Sequence, residues 1–199
     1  TFKELSNRIG KDRVVWRFDP LMLTKDIDVK ELLKRLENIG DQLHAYTNKL
    51  VFSFADISIY SKVEHNLKKD KVDYIEFTPD SMIEFAQGLN KLNKKWNLEL
   101  ARCTEKFHLN KYGVLHNKCI DDDLMIKLFH HDKELMKFLG VEFVEPTLFE
   151  PTEGIEKTKK MKDKGQRESC GCIMSKDIGE YNTCPHECVY CYANTSIET

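Results

Sequence analysis

The sequence lacks the features that mark unusual protein classes. With 5 Pro and 9 Gly in 199 residues, it is neither collagen-like nor of low complexity. No apolar run approaches the ~20 residues of a transmembrane helix, and no signal-peptide pattern opens the chain. Neither charge sign is in excess, because 31 Lys and Arg are balanced by 33 Asp and Glu. These absences predict a folded cytoplasmic protein with no membrane segment and no global attraction to nucleic acid.

The sequence does contain an alternation of strand-like and helix-like apolar patterns. Strands are predicted at residues 14–18, 50–55 and 98–101, and the first ends at a breaker, Asp19-Pro20. Helices are predicted after the N-caps Asp28 and Thr78. This alternation favours a parallel sheet covered by helices. The chain begins with Thr inside a helical pattern, and three strands are few. We therefore expect an α/β fold, a partial TIM-like β/α barrel whose N-terminal strands are missing.

Composition divides the chain into three predicted parts. Residues 1–141 form the barrel portion, residues 142–169 a linker with an exposed basic loop, and residues 170–199 a cysteine-rich tail. No aromatic residue interleaves with the basic run 157–167, which favours a solvated surface. A phosphate or nucleic-acid contact is the alternative.

The seven cysteines are distributed unevenly, with five of them crowded into residues 170–191. An odd count in a chain without an export signal argues against a disulfide framework and favours metal or cluster ligation. Cys184, Cys188 and Cys191 form a CxxxCxxC motif whose three thiolates can converge on one centre. Soft thiolate ligands select zinc or iron–sulfur clusters, and three ligands leave one coordination position open.

The other four cysteines have the ligand count for a second, all-thiolate site that holds zinc or an auxiliary cluster. They are Cys103, Cys119, Cys170 and Cys172. Cys103 follows a predicted strand, at the edge where β/α folds carry their chemistry. The alternative is that Cys103 and Cys119 are small buried thiols.

Polar residues also follow the first two predicted strands. Arg17 and Asp19 lie at the end of the first, and Asp56 follows the second. These are positions where site residues are expected, although each can instead cap a helix or satisfy loop backbone.

The CxxxCxxC motif, with the aromatic Tyr190 before its last cysteine, resembles the cluster motif of radical S-adenosylmethionine enzymes. Residues 188–193 are similar to the spore photoproduct lyase branch of those enzymes. The resemblance implies that Cys184, Cys188 and Cys191 each bind one iron of a 4Fe-4S cluster. It also implies that the fourth iron chelates S-adenosylmethionine, and that an electron donor and an unknown substrate are the partners.

Most of the chain resembles the bacterial family called domain of unknown function 1848. The similar segments are residues 15–20, 103–105, 118–121, 170–172 and 177–184. This family has no established activity, so the resemblance implies a fold and a cysteine layout but no substrate. The first hypothesis is a radical S-adenosylmethionine-like iron–sulfur enzyme. The alternative is a zinc-stabilised binding module, with His186 or a cysteine of residues 170–172 as fourth ligand, that contacts nucleic acid through residues 157–167.

Overall fold

A computed structural model describes residues 1–103, 107–144, 154–159, 161–167, 169–186, 188–191 and 193–194. In chain order, its helices and strands are α1 (Phe2–Ile9), β1 (Trp16–Leu21), β2 (Leu23–Thr24), α2 (Val29–Leu43), β3 (Lys49–Phe54), α3 (Ser61–Lys69), β4 (Tyr74–Ile75), α4 (Pro79–Trp96), β5 (Glu99–Arg102), β6 (Val114–His116), α5 (Asp122–Phe129), α6 (Lys133–Leu139), β7 (Val141–Val144) and β8 (Gly154–Lys157). These elements belong to two units. The first unit is Thr1–His116 with the segment that begins at Asp177, and the second unit is Asn117–Lys176.

Four strands of the first unit form a parallel sheet in the order β1, β3, β5, β6. Strand order follows chain order, so each connection carries the chain back to start the neighbouring strand in the same direction. All four strands therefore end at the same edge of the sheet. The predicted α/β fold with a parallel sheet is confirmed, and its closure into a barrel stays a prediction.

One face of this sheet packs against α2 and α4. Leu50, Phe52 and Phe54 alternate along β3, and all three are buried with Leu36 of α2 and Phe85 of α4. The ring centroids of Phe52 and Phe85 lie 5.3 Å apart in an edge-to-face arrangement, which aromatic pairs prefer. Because side chains alternate along a strand, the other residues of β3 face the opposite side of the sheet.

The two long helices begin where the capping residues predict. The Asp28 carboxylate accepts a hydrogen bond from the Glu31 backbone N–H at 2.8 Å and caps α2. The Thr78 hydroxyl accepts one from the Ser81 backbone N–H at 3.2 Å, and Pro79 opens α4. Each cap satisfies a backbone donor that has no partner inside its helix.

Several elements differ from the prediction. β1 continues through Pro20 to Leu21 instead of ending at a breaker. Among the described strands, β1 lies at an edge of the sheet, and its pairing with β3 shifts register between Phe18 and Leu21, so Pro20 stands where the ladder is interrupted. β6 adds a fourth strand of only three residues, too short for a periodic signal. α3 buries only Val63 and Leu67, too few apolar residues for a clear stripe.

The second unit contains α5, α6 and an antiparallel pair formed by β7 and β8. Among its described residues, the buried apolar cluster consists of Met136, Leu139, Val141 and Ile173. The range 142–169, interpreted above as a linker, thus includes a paired strand. Cys170 and Cys172 belong to this unit, whereas the CxxxCxxC motif belongs to the first. Within the described residues, no helix has both the length and the apolar character that crossing a bilayer requires.

Candidate active site and metal centres

A polar network lies on the sheet face opposite α2 and α4, near the carboxyl ends of three strands. Asp19 accepts hydrogen bonds from the Arg17 guanidinium on one carboxylate oxygen and from the Ser53 hydroxyl on the other. Arg17 Nη2 also lies 3.7 Å from the Cys103 sulfur. These side chains come from β1, β3 and the residue after β5. The parallel sheet therefore assembles a cation, a carboxylate, a hydroxyl and a thiol from three separate segments.

Two further carboxylates lie beyond the ends of β3 and β4. Asp56 precedes a 3₁₀ turn, Ile57–Ile59, and its Oδ1 lies 3.5 Å from the Ser58 hydroxyl. Glu76 follows β4, and its Oε1 accepts a hydrogen bond from the Ser58 backbone N–H at 3.1 Å. Ser58 thus contacts both carboxylates and holds them beside the same turn.

Tyr190 of the cysteine motif lies close to these carboxylates. With Val189 it packs against a cluster of the first unit that includes Ala55, Ile57 and Val63. Burial raises the pKa of the Tyr190 phenol, and Tyr60, Asp56, Asp19 and Glu76 raise it further by electrostatic repulsion. The Tyr190 hydroxyl therefore stays protonated at neutral pH and can donate a hydrogen bond.

Two asparagines position the CxxxCxxC segment. The Asn66 side-chain amide of α3 lies 3.5 Å from the carbonyl oxygens of both Val189 and Cys191. Asn194 donates its backbone N–H to the Cys191 sulfur at 3.3 Å, and its side-chain amide donates to the Cys184 carbonyl. Asn194 therefore joins the first and last cysteines of the motif, and Asn66 joins the motif to α3.

The three thiols of the motif differ in their surroundings. Backbone N–H groups of Asn194 and Ala193 lower the pKa of Cys191, because they stabilise its thiolate. Cys184 and Cys188 are exposed. The three sulfur atoms of the motif are not all within 4.8 Å of one another. Among the described residues, Asp121, Asp122 and Asp123 are the only group of three or more potential metal ligands whose ligand atoms lie that close together. The donor set nevertheless fits a cluster, because it consists of three soft thiols on one short segment.

Those three aspartates are already used by protein groups. The Asp121 carboxylate caps α5 by accepting the backbone N–H groups of Asp123 and Leu124. Asp122 and Asp123 form ion pairs with Lys118 and with Lys157. The acidic triplet is therefore explained by capping and charge pairing.

The ion pairs change the pKa of the buried Asp122. Burial alone would raise its pKa, but hydrogen bonds from Lys157 and Lys118 outweigh burial and lower the pKa. The opposite holds for Lys118, where burial alone would lower the pKa, but the carboxylates of Asp123 and Asp122 raise it. All these groups stay charged at neutral pH.

Comparison with protein families identifies the chain. A family model described as a domain of unknown function (DUF1848) matches residues 1–193. The chain belongs to the DUF1848 family. The match spans both units and all seven cysteines. No curated protein matches the chain, and no solved structure matches it.

The cysteines of this DUF1848 chain fall into different surroundings. All seven are described and none forms a disulfide. Cys103 belongs to the first unit and to the Arg17 network. Cys119, Cys170 and Cys172 belong to the second unit. Burial raises the pKa of Cys172, and the neighbouring Cys170 thiol adds to the rise, although backbone N–H groups of Ile120 and Cys119 act against it.

The sequence analysis does not identify several residues of this site. Asn66 and Asn194 carry no motif, and their partners become visible only in the fold. Ser53 alternates with Phe52 and Phe54 along β3. This alternation in the sequence indicates that Ser53 lies on the sheet face opposite α2 and α4. Thr104 and Glu105, within one of the segments that resemble the family, lie outside the described residues, and His186 is exposed.

Proposed function

We propose that this DUF1848 protein is an iron–sulfur enzyme of the radical S-adenosylmethionine-like type. Cys184, Cys188 and Cys191 would hold a 4Fe-4S cluster beside the carboxyl edge of the parallel sheet. The observation that carries the proposal is the location of Tyr190, which packs in a cluster with Ala55 and Ile57, the two sequence neighbours of Asp56. Because Tyr190 is flanked in sequence by Val189 and Cys191, its packing brings the motif to the residues that can bind a substrate.

The local hydrogen bonds support thiolate ligation in the motif. The Cys191 sulfur accepts the Asn194 backbone N–H, and such donors favour the deprotonated sulfur that a metal requires. Asn194 also binds the Cys184 carbonyl, so one residue restrains both ends of the ligand segment. Cys184 and Cys188 are exposed and therefore accessible to incoming iron.

The chain's own residues can bind and orient a polar substrate. A cluster with S-adenosylmethionine supplies one-electron chemistry when bound, and an electron donor would be a partner. Arg17 has a side chain that is 42% exposed and is oriented by Asp19, so a substrate acceptor can reach its guanidinium group. The protonated Tyr190 hydroxyl can donate a second hydrogen bond. The substrate is therefore expected to carry oxygen acceptors.

The proposed architecture is a TIM-like β/α barrel, of which the four parallel strands are a part. It is supported by the agreement between strand order and chain order, since barrels add consecutive strands side by side. Barrel enzymes carry their sites at the carboxyl ends of the strands. The Arg17 network lies at that edge.

The alternative, a zinc-stabilised nucleic-acid-binding module, has weaker support. The basic run 157–167 begins at Lys157, whose ammonium group is held by Asp122 and Asp123. A lysine that is neutralised in this way has less charge to offer a phosphate backbone.

Metal analysis after anaerobic purification tests the proposal. The wild-type chain should contain iron and sulfide, and electron paramagnetic resonance of the reduced protein should change when S-adenosylmethionine is added. Cys188→Ala should lose most of this iron, whereas Cys103→Ala, a thiol outside the motif, should keep it. Asn194→Ala should bind iron but release it faster to a chelator, and the exposed Asn38→Ala is its matched control.

Two outcomes would refute this function. Equal iron content in Cys188→Ala and wild type would exclude the motif as the cluster site. Zinc without iron, together with salt-sensitive binding of an oligonucleotide, would instead support the binding module.

A further inference from the structure

Two distant segments of the second unit are held together around its cysteines. The Ile173 backbone N–H donates to the Ile120 carbonyl at 3.2 Å, and the Asp163 N–H donates to the Cys172 carbonyl at 3.0 Å. An isolated bridge pairs Lys162 with Ile173. The turn that contains Cys119 therefore lies directly against the segment that contains Cys170 and Cys172.

The sulfur of Cys172 is the focus of this arrangement. It accepts hydrogen bonds from two consecutive backbone N–H groups, those of Cys119 at 3.1 Å and Ile120 at 3.4 Å. These two N–H groups favour the thiolate that a metal requires, and they oppose the burial that raises the pKa of Cys172. The neighbouring Cys170 thiol adds to the raised pKa of Cys172, and the Asn117 side-chain amide lies 3.5 Å from the Cys119 sulfur. The sulfurs of Cys172 and Cys119 thus have polar partners, which simple apolar packing would not require.

The size of the second unit gives an independent reason to expect a stabilising ligand. It spans Asn117–Lys176, and the four residues named above form the buried apolar cluster among its described residues. Natural units of roughly 60 residues often add disulfides or a structural metal to their apolar core. None of the seven cysteines forms a disulfide. A structural metal bound by thiols is another common means.

We propose that Cys119, Cys170 and Cys172 bind a zinc ion that stabilises the second unit. On binding, three thiols release their protons to solvent, three Zn–S bonds form, and a water molecule retains the fourth position. Cys170 and Cys172 are buried, whereas Cys119 is exposed and can turn about its first side-chain torsion. Its backbone nitrogen already lies 3.1 Å from the Cys172 sulfur, so this rotation brings its own sulfur within reach of a shared ion.

This zinc site uses none of the cysteines assigned to the iron–sulfur cluster. The two proposals can therefore fail separately. A full-length variant with Cys184→Ser, Cys188→Ser and Cys191→Ser removes the motif and leaves the second unit intact. Cobalt(II) is the probe, because thiolate coordination in a tetrahedral site gives intense absorption bands.

The motif variant should bind one equivalent of cobalt with these bands, and zinc should displace it. Adding Cys119→Ser or Cys172→Ser should weaken cobalt binding about ten-fold or more. Adding Cys103→Ser, a cysteine of the first unit, should change nothing. The exposed Cys119 provides a substitution that should leave the apo fold intact, as circular dichroism can check.

Three results would overturn the proposal. Cobalt binding without thiolate bands would show that other residues bind the ion. Equal affinity in the Cys119→Ser and Cys172→Ser variants would exclude those sulfurs. Loss of binding in the Cys103→Ser control alone would assign the ion to the first unit.

Discussion

The pKa of the Tyr190 phenol depends on the carboxylates around it. Its pKa is raised by burial and by neighbours that include Asp56, so Asp56→Asn should lower the pKa toward the ordinary value of about 10. The exposed Glu84→Gln should leave it unchanged. Ultraviolet absorbance of the phenolate, with Tyr190→Phe as the subtraction reference, measures this titration. An identical curve in Asp56→Asn would show that the carboxylate does not act on Tyr190.

The same pKa shift affects stability at high pH. The unfolded phenol ionises near pH 10, whereas the folded Tyr190 keeps its proton to higher pH. The folded state thus binds more protons than the unfolded state above pH 10, and stability should fall with rising pH in that range. Tyr190→Phe should reduce this alkaline loss in denaturant unfolding. An unchanged slope would contradict the pKa direction.

Asp122 should make the second unit sensitive to acid. Its side chain is 7% exposed and pairs with Lys118 at 2.9 Å. Its folded pKa is lowered, so its contribution is present above the unfolded value of about 3.9 and is lost as pH falls through the folded value. Asp122→Asn should cost about 1–3 kcal/mol at pH 7, and the cost should be smaller at pH 3. Denaturant unfolding at both pH values measures this, and the exposed Glu142→Gln should show little effect at either.

The contact between α2 and α4 depends on a glycine. A Cβ at Gly40 would lie 2.4 Å from Cζ2 of Trp96, whose Nε1–H donates to Asp41 at 2.8 Å. Gly40→Ala must therefore displace a buried indole, and we expect a loss of about 1–3 kcal/mol in spite of the better helix propensity of alanine. Thermal unfolding provides the measurement.

Gly88 of α4 offers the matched control for Gly40. A Cβ there would meet Cδ1 of Leu33 at 2.2 Å, but that methyl group ends a flexible, partly exposed side chain. Leu33 can change rotamer, so Gly88→Ala should be nearly neutral because of its gain in helix propensity of about 1 kcal/mol. Equal destabilisation by the two substitutions would contradict the assigned role of Trp96.

Local sequence signals predict those elements that local interactions specify. α2 and α4 carry caps and long apolar stripes, so the sequence predicts them well. α3 has only two buried apolar residues, and its stability comes from packing that no local pattern reveals. The site follows the same division. The motif cysteines and the strand-end Arg17 and Asp19 are visible in the sequence, whereas Asn66 contacts residues more than 120 positions away.

The two proposed metal centres lie in different units, so metal removal should act regionally. Extraction of zinc should increase amide hydrogen exchange at residues 117–120 and 161–174, where the backbone is organised around Cys172. Amides of β3 and β5, in the centre of the parallel sheet, should keep their protection. Hydrogen-exchange mass spectrometry with and without a chelator measures both. A uniform increase across the chain would contradict the assignment of zinc to the second unit.

The chain order of the first unit also determines when its parts become available during translation. All four strands of the parallel sheet and α3 are synthesised before the second unit, and Cys184, Cys188 and Cys191 follow it. At about 5–20 residues per second, the ribosome needs several seconds to make the intervening segment. The sheet therefore has time to fold before the motif emerges. Iron delivery would then be a late maturation event, in which the nascent thiols meet a surface that is already complete.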